Sequence, residues 1–151
     1  MRILLVLPFL AACAGGGVET GSTSPERRAA ARLSALDTNR LWALQARPSD
    51  PLELARAEAE LGSRGQFVAR GAYLGRRTLA IAGRARYRRG NTDPETDVLN
   101  CGDFLTEAAA QAEFLGSGGP QVDRHNLDPD GDGLACNWAE TLRQATALAT
   151  R

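Results

Sequence analysis

The chain has 151 residues, 18 basic and 18 acidic side chains, and eight aromatics. That length allows one ordinary domain or two small ones, and a formal charge of zero singles out no class of partner. So few aromatics argue against a large, deep core and for small units of modest stability. Charge is unevenly placed: residues 14–96 carry fourteen Arg against nine acids, and residues 97–151 carry three Arg against nine. Every basic residue is Arg, which we read as coding bias more than chemistry.

The opening "MRILLVLPFLAACAGGG" has a positive residue, Arg2, then a short apolar run from Ile3 to Leu10, then small residues. Eight apolar residues are too few to span a bilayer but suit a secretory signal. Leu10-Ala11-Ala12-Cys13 resembles a bacterial lipobox. The resemblance implies a signal peptide over 1–12, cleavage before Cys13 and lipid on its thiol, so that acyl chains replace the removed run as membrane anchor. The mature protein is then expected outside the cytoplasm, where disulfides are permitted. Residues 13–24 are rich in Gly, Ser and Thr and read as a flexible tether, long enough to let a domain range tens of ångströms.

From Ser24 the pattern is helical. Ser24 suits a cap, Pro25 the first helical position and Glu26 the first turn. Leu33, Leu36, Leu41, Trp42 and Leu44 give an apolar face, with a break expected near Asp37-Thr38-Asn39. "RPSDP" at 47–51 is a turn. Asp50-Pro51-Leu52-Glu53 has the form of a helix start, with Leu54, Ala57 and Leu61 on one face and Gly62 as the stop. Residues 63–92 carry irregular glycines, and Thr78–Ala82 fits a short strand or a buried helical turn equally well. "GNTDPE" at 90–95 is a loop and the preferred boundary between two halves. A helix is expected from about Asp103 to Leu115, and another in the Ala- and Leu-containing tail.

The chemistry concentrates in "DPDGDGLAC", residues 128–136. Alternation of Asp128, Asp130 and Asp132 would mark a strand, but the Pro and Gly residues forbid a regular one. A tight loop turns the three carboxylates inward, and they repel one another unless a cation lies among them. A hard divalent ion with oxygen ligands answers that repulsion. EF-hand calcium loops use this spacing, with ligands at positions 1, 3 and 5, Gly at 6 and a carbonyl at 7. Those places are Asp128, Asp130, Asp132, Gly133 and Leu134. Position 12, where an EF-hand has a bidentate Glu, is Ala139, so this is not a regular EF-hand. With Cys13 acylated, Cys101 and Cys136 remain as an even pair. Free thiols and a soft-metal site are alternatives to a bridge, though two Cys and one His lack the usual zinc spacing.

The stretch from Asn100 to Leu142 resembles the Excalibur calcium-binding domain of bacterial surface and secreted proteins. The shared landmarks are "NCGDF", the helix with "AQAEF", then Asp123, His125, Leu127-Asp128 and "DGDGLAC". The resemblance implies an extracellular Ca²⁺ site, a Cys101–Cys136 disulfide, and side-chain ligation by Asp128, Asp130 and Asp132. Such a disulfide would close a loop of about 36 residues, for roughly 3–4 kcal/mol in the chain-entropy description. The family usually has Glu after the second Cys; here it is Asn137, whose amide oxygen ligates without charge. Asp123 or Glu140 would compensate if the fold brought either close. Affinity is expected at the weak extracellular end, on the order of 10⁻⁴–10⁻³ M.

His125 is the only histidine. "DRHN" has some likeness to metal-dependent nucleases, but no second His and no nucleophile–base arrangement accompany it. We read His125 as orienting the loop or simply exposed, and expect no catalysis. The run "RRTLAIAGRARYRR" at 76–89 could face nucleic acid, lipid headgroups or cell-wall polymer. A solvated face, or an internal partner for the acidic half, is the preferred reading.

The resulting expectation is a mainly α protein. A small helical, Arg-rich region covers 25–92, and a disulfide-stapled helix–calcium loop–helix module covers 97–148. The expected function is a non-catalytic, membrane-anchored lipoprotein of the cell envelope that binds Ca²⁺, with an envelope protein or polymer as a possible partner and no specific nucleic acid. The alternative is an accessory or enzymatic role on nucleic acid or cell wall.

Overall fold

The computed structural model describes residues 24–90 and 92–151. The expected signal peptide, Cys13 and the expected tether up to Thr23 lie outside the described residues. The fold is mainly α, and among the described residues no helix is long and apolar enough to cross a membrane.

Local capping sets the first three helices. Ser24 Oγ accepts from Arg27 N at 3.2 Å and starts α1, Pro25–Ser34. Asp37 caps α2, Thr38–Ala46, through Arg40 N at 2.9 Å. Asp50 caps α3, Pro51–Ser63, through Glu53 N at 2.8 Å, while Glu53 Oε2 accepts from Ser49 N at 2.6 Å. The helix runs past the expected stop at Gly62. The left-handed residue that turns the chain is Gly65, φ +70°. Gly62 has a packing role instead: a Cβ there would lie 2.6 Å from the Trp138 ring and 2.9 Å from Ala108 Cβ. Gly62→Val is therefore expected to cost about 2–3 kcal/mol through overpacking, read as a lower urea midpoint at constant slope.

Residues 63–92 hold little regular structure. Val68–Ala69 (β1) pairs antiparallel with Ala72–Tyr73 (β2), turned by Arg70 and Gly71, both at positive φ. The ambiguous stretch after it forms a 3-10 turn at Thr78–Ile81. The helix expected from Asp103 is split. A 3-10 turn covers Cys101–Asp103, and α4 begins only at Glu107 and runs to Gly116. Asp103 Oδ2 accepts from Asn100 N at 2.7 Å and closes the turn on itself, and Thr106 Oγ1 caps α4 through Ala109 N at 3.1 Å. The last helix, α5, is Trp138–Ala149.

α3 packs against α2 and α4, and α1 lies across α3 and α4. One apolar cluster joins Leu41, Leu61, Leu74, Ala108, Trp138 and Leu142; a second joins Ala59, Phe114, Leu115 and Leu127. Leu134 belongs to the first and Ala135 to the second, so the stretch after the aspartates is anchored in both.

Glu58 of α3 is fully buried. Its Oε1 accepts from Gly75 N at 3.0 Å and Gln45 Nε2 at 3.3 Å, while Oε2 has no partner. Burial raises its carboxyl above the usual range, and its hydrogen bonds together with the Arg77 charge offset part of that. A raised folded value means stability that is full below the unfolded carboxyl's range and lost as pH rises through the folded one. Urea titrations from pH 4 to 8 should show a shallower decline for Glu58→Gln than for wild type, with the variant the more stable at the alkaline end.

Candidate metal centre

The aspartate loop is built by hydrogen bonds to its own backbone. Asp123, 6% exposed, opens it: Oδ1 accepts from Leu127 N and Oδ2 from Asp128 N, both at 2.8 Å. Asp128, wholly buried, closes it. Its Oδ1 accepts from Gly131 N and Asp132 N, each at 3.1 Å, and its Oδ2 from Gly133 N at 2.8 Å. Asp132 Oδ1 accepts from Leu134 N at 2.7 Å. Gly131 and Gly133 take φ of +73° and +92°, backbone that L side chains disfavour. A Cβ on Gly131 would also collide with the Tyr87 carbonyl.

This arrangement brings one oxygen from each of Asp128, Asp130 and Asp132 within 4.8 Å of one another, a group that can hold a metal ion. Asp130 is exposed and offers the least engaged oxygens, with one contact from Asp132 N at 3.4 Å. All-carboxylate donors suit a hard cation. Leu134 sits in the core beside the loop. Asn137 is placed elsewhere: its backbone N donates to Glu107 Oε2 at 2.8 Å, and its amide Nδ2 lies 3.5 Å from Glu107 Oε1. Glu140 is exposed and pairs with Arg143. Asp123 is close, but its oxygens are occupied by the loop backbone and face Arg89.

Cys101 and Cys136 form a disulfide, their Cα atoms 5.7 Å apart. Cys136 adopts φ +53°, and its N donates to Leu127 O at 2.7 Å, so the loop's exit is tied to its entrance.

Two parts of the centre escape sequence reasoning. The first is Gln111 of α4, fully buried, which donates to Gly133 O at 3.1 Å and accepts from Ala135 N at 2.6 Å. The second is a strap from the Arg-rich segment. Gly83 N donates to Asp132 Oδ2 at 2.6 Å, and Arg86 N and Tyr87 N both donate to Gly131 O. Arg89 then turns inward. Its guanidinium bonds to Asp128 Oδ2 and to the carbonyls of Asp128 and Pro120, lies 3.6 Å from Asp123, and sits over the Tyr87 and Phe114 rings. The side chain is 10% exposed. The Arg run is thus in part the internal partner of the acidic half.

Arg89 decides the electrostatics. Burial pushes the Asp128 carboxyl up to about 6; Asp130 adds to the rise, while Arg89 and the Gly133 N–H oppose it. Counting donors, both Asp128 oxygens already accept two hydrogen bonds, which fills a carboxylate's lone-pair sites. Asp128 can ligate an ion only by releasing a donor. Arg89, on a side chain, is the one that can move without unfolding the loop.

His125 is buried, not exposed, at 7%. Its Nε2 lies 3.7 Å from Glu113, whose carboxylate is held by Arg27 of α1, and its Nδ1 has no partner among the described residues.

Comparison of the chain with protein-family models, curated proteins and solved structures found no match.

Proposed function

We propose that this chain is an extracytoplasmic, lipid-anchored, non-catalytic protein whose C-terminal loop binds Ca²⁺. The observation that carries the reading is the convergence of Asp128, Asp130 and Asp132 oxygens within 4.8 Å in a loop braced by a disulfide. Carboxylates with a Gly at the sixth position favour Ca²⁺ over softer ions. The disulfide fits an oxidising compartment. The sequence likeness of residues 100–142 to Excalibur domains points the same way. Anchoring rests on the lipobox-like Leu10-Ala11-Ala12-Cys13, and an envelope protein or polymer is the expected partner.

With three carboxylates and no fourth charged ligand among them, affinity belongs on the order of 10⁻⁴–10⁻³ M. Linkage then sets the gain from 10 mM Ca²⁺ at about 1.4–2.7 kcal/mol. Thermal denaturation should show that gain in wild type and none in Asp130→Ala with Asp132→Ala. An unshifted wild type would refute the Ca²⁺ reading. Labelled palmitate incorporated in a bacterial host should be lost in Cys13→Ser; label retained in that variant would refute the anchor.

A further inference from the structure

A concavity lies beside the aspartate loop and shares Gly133, Leu134 and the strap residues Arg86 and Tyr87 with the loop's far side. It is a cleft of about 500 Å³ between the start of α3, the 3-10 turn at Thr78–Ile81, the Arg-rich strap and the loop's far side. That volume is in the range of small-molecule sites. Its walls are mostly apolar, from Leu52, Leu54, Ile81, Tyr87, Pro120 and Leu134.

The charges around it are not balanced. Asp50 stands on one lip, but both its oxygens are engaged, Oδ1 by Glu53 N at 2.8 Å and Oδ2 by Ser49 Oγ at 3.2 Å. Its negative charge is directed at the N-terminus of α3. Arg77 lines the cleft and is tied to the Gln45 carbonyl. Arg86 lines it too, is exposed, and its guanidinium has no partner among the described residues. The strap fixes the Arg86 backbone through its N–H to Gly131 O at 2.8 Å, so the charge is held at the rim while the side chain stays available. An apolar cavity with one uncommitted guanidinium at its edge complements a ligand with an apolar body and one anionic end.

We propose that this cleft binds a small amphipathic monoanion, a medium-chain carboxylate in form, with its chain against Leu52, Ile81 and Leu134 and its carboxylate on Arg86. This binding does not depend on Ca²⁺.

The test uses octanoate and 1-octanol as probes, titrated into the ¹⁵N-labelled full chain in metal-free buffer and followed by amide shifts. Octanoate is expected to saturate with Kd on the order of 10⁻³ M or tighter, with the shifts centred on Leu52, Thr78, Ile81, Arg86 and Leu134. Octanol, alike in length but neutral, should bind about tenfold more weakly, since it forgoes a charge-assisted bond. Arg86→Gln, at an exposed side chain whose backbone bond is kept, should weaken octanoate by about the same factor and leave octanol unchanged. Equal affinity for the two probes, no effect of Arg86→Gln, shifts centred elsewhere, or no saturation by about 10 mM octanoate would each overturn the proposal.

Discussion

Arg89→Gln should cost the Ca²⁺-free protein about 3–5 kcal/mol, the range for removing one partner of a buried ion pair. Asp128 has no exposure, and Arg89 supplies its only side-chain cation among the described residues. Without the guanidinium, the Asp128 carboxyl loses its largest lowering influence and rises further above its value of about 6. A raised folded carboxyl loses stability as pH increases through it. The charge part of the variant's deficit should therefore be greatest on the alkaline side, shrink as pH falls from the variant's raised value toward about 6, and be gone below that, where Asp128 is protonated in both proteins. Urea denaturation at pH 5 and pH 8 reads this directly. A deficit independent of pH would mean that Arg89 acts by packing on Tyr87 and Phe114 and not by charge.

The same substitution has the opposite effect on the ion. On the proposed reading, Ca²⁺ would have to displace Arg89 to gain an oxygen of Asp128, and that displacement would reduce apparent affinity by the fraction of time the site is open. Arg89→Gln should tighten Ca²⁺ binding at least about tenfold, equivalent to about 1.4 kcal/mol. A variant less stable without the ion and more responsive to it is a signature that a purely structural arginine would not give. Unchanged or weaker Ca²⁺ binding would show that Arg89 does not compete.

Cys101→Ser with Cys136→Ser is the second large effect. The bridge spans 35 residues of sequence, and losing it should cost about 3–4 kcal/mol. The melting temperature should fall on the order of 10 °C. The bridge ties the loop's exit to the turn before α4, while Cys136 N already ties it to the entrance through Leu127 O. Loss of the covalent link therefore frees the loop from α4 more than it opens the loop itself. Changing both residues leaves no unpaired partner to exchange with Cys13. A change below about 1 kcal/mol would mean that the native clusters around Leu134 and Ala135 hold the loop unaided.

What the sequence reveals here is what is decided within a few residues. Ser24-Pro25 and Asp50-Pro51-Leu52-Glu53 act as helix starts because a cap is a contact of three residues. The aspartate spacing with Gly133 is legible for the same reason. The split before α4 is not, because Thr106 capping interrupts a stretch whose composition continues to suit a helix. Gln111 has the composition of an ordinary helix-surface residue, and only the docking of the loop on α4 gives its amide two backbone partners. Arg89 is one of many arginines in its run, and nothing local separates it from Arg88, which stays exposed. Its role exists only because Gly131 O holds the strap against the loop. Asn137 shows the converse. Adjacency to Cys136 suggests a ligand, while the left-handed turn at Cys136 precedes an amide placed against Glu107.

Calorimetric titration of Ca²⁺ into the wild-type chain, beside Asp130→Asn, tests the central claim most directly. Asp130 is exposed, accepts only a long contact from Asp132 N and acts on the Asp128 carboxyl, so its substitution removes a ligand charge from the site. The account predicts one saturable site with Kd on the order of 10⁻⁴–10⁻³ M in wild type, weakened severalfold or lost in the variant. No saturable heat in wild type, or the same isotherm in both proteins, would contradict it.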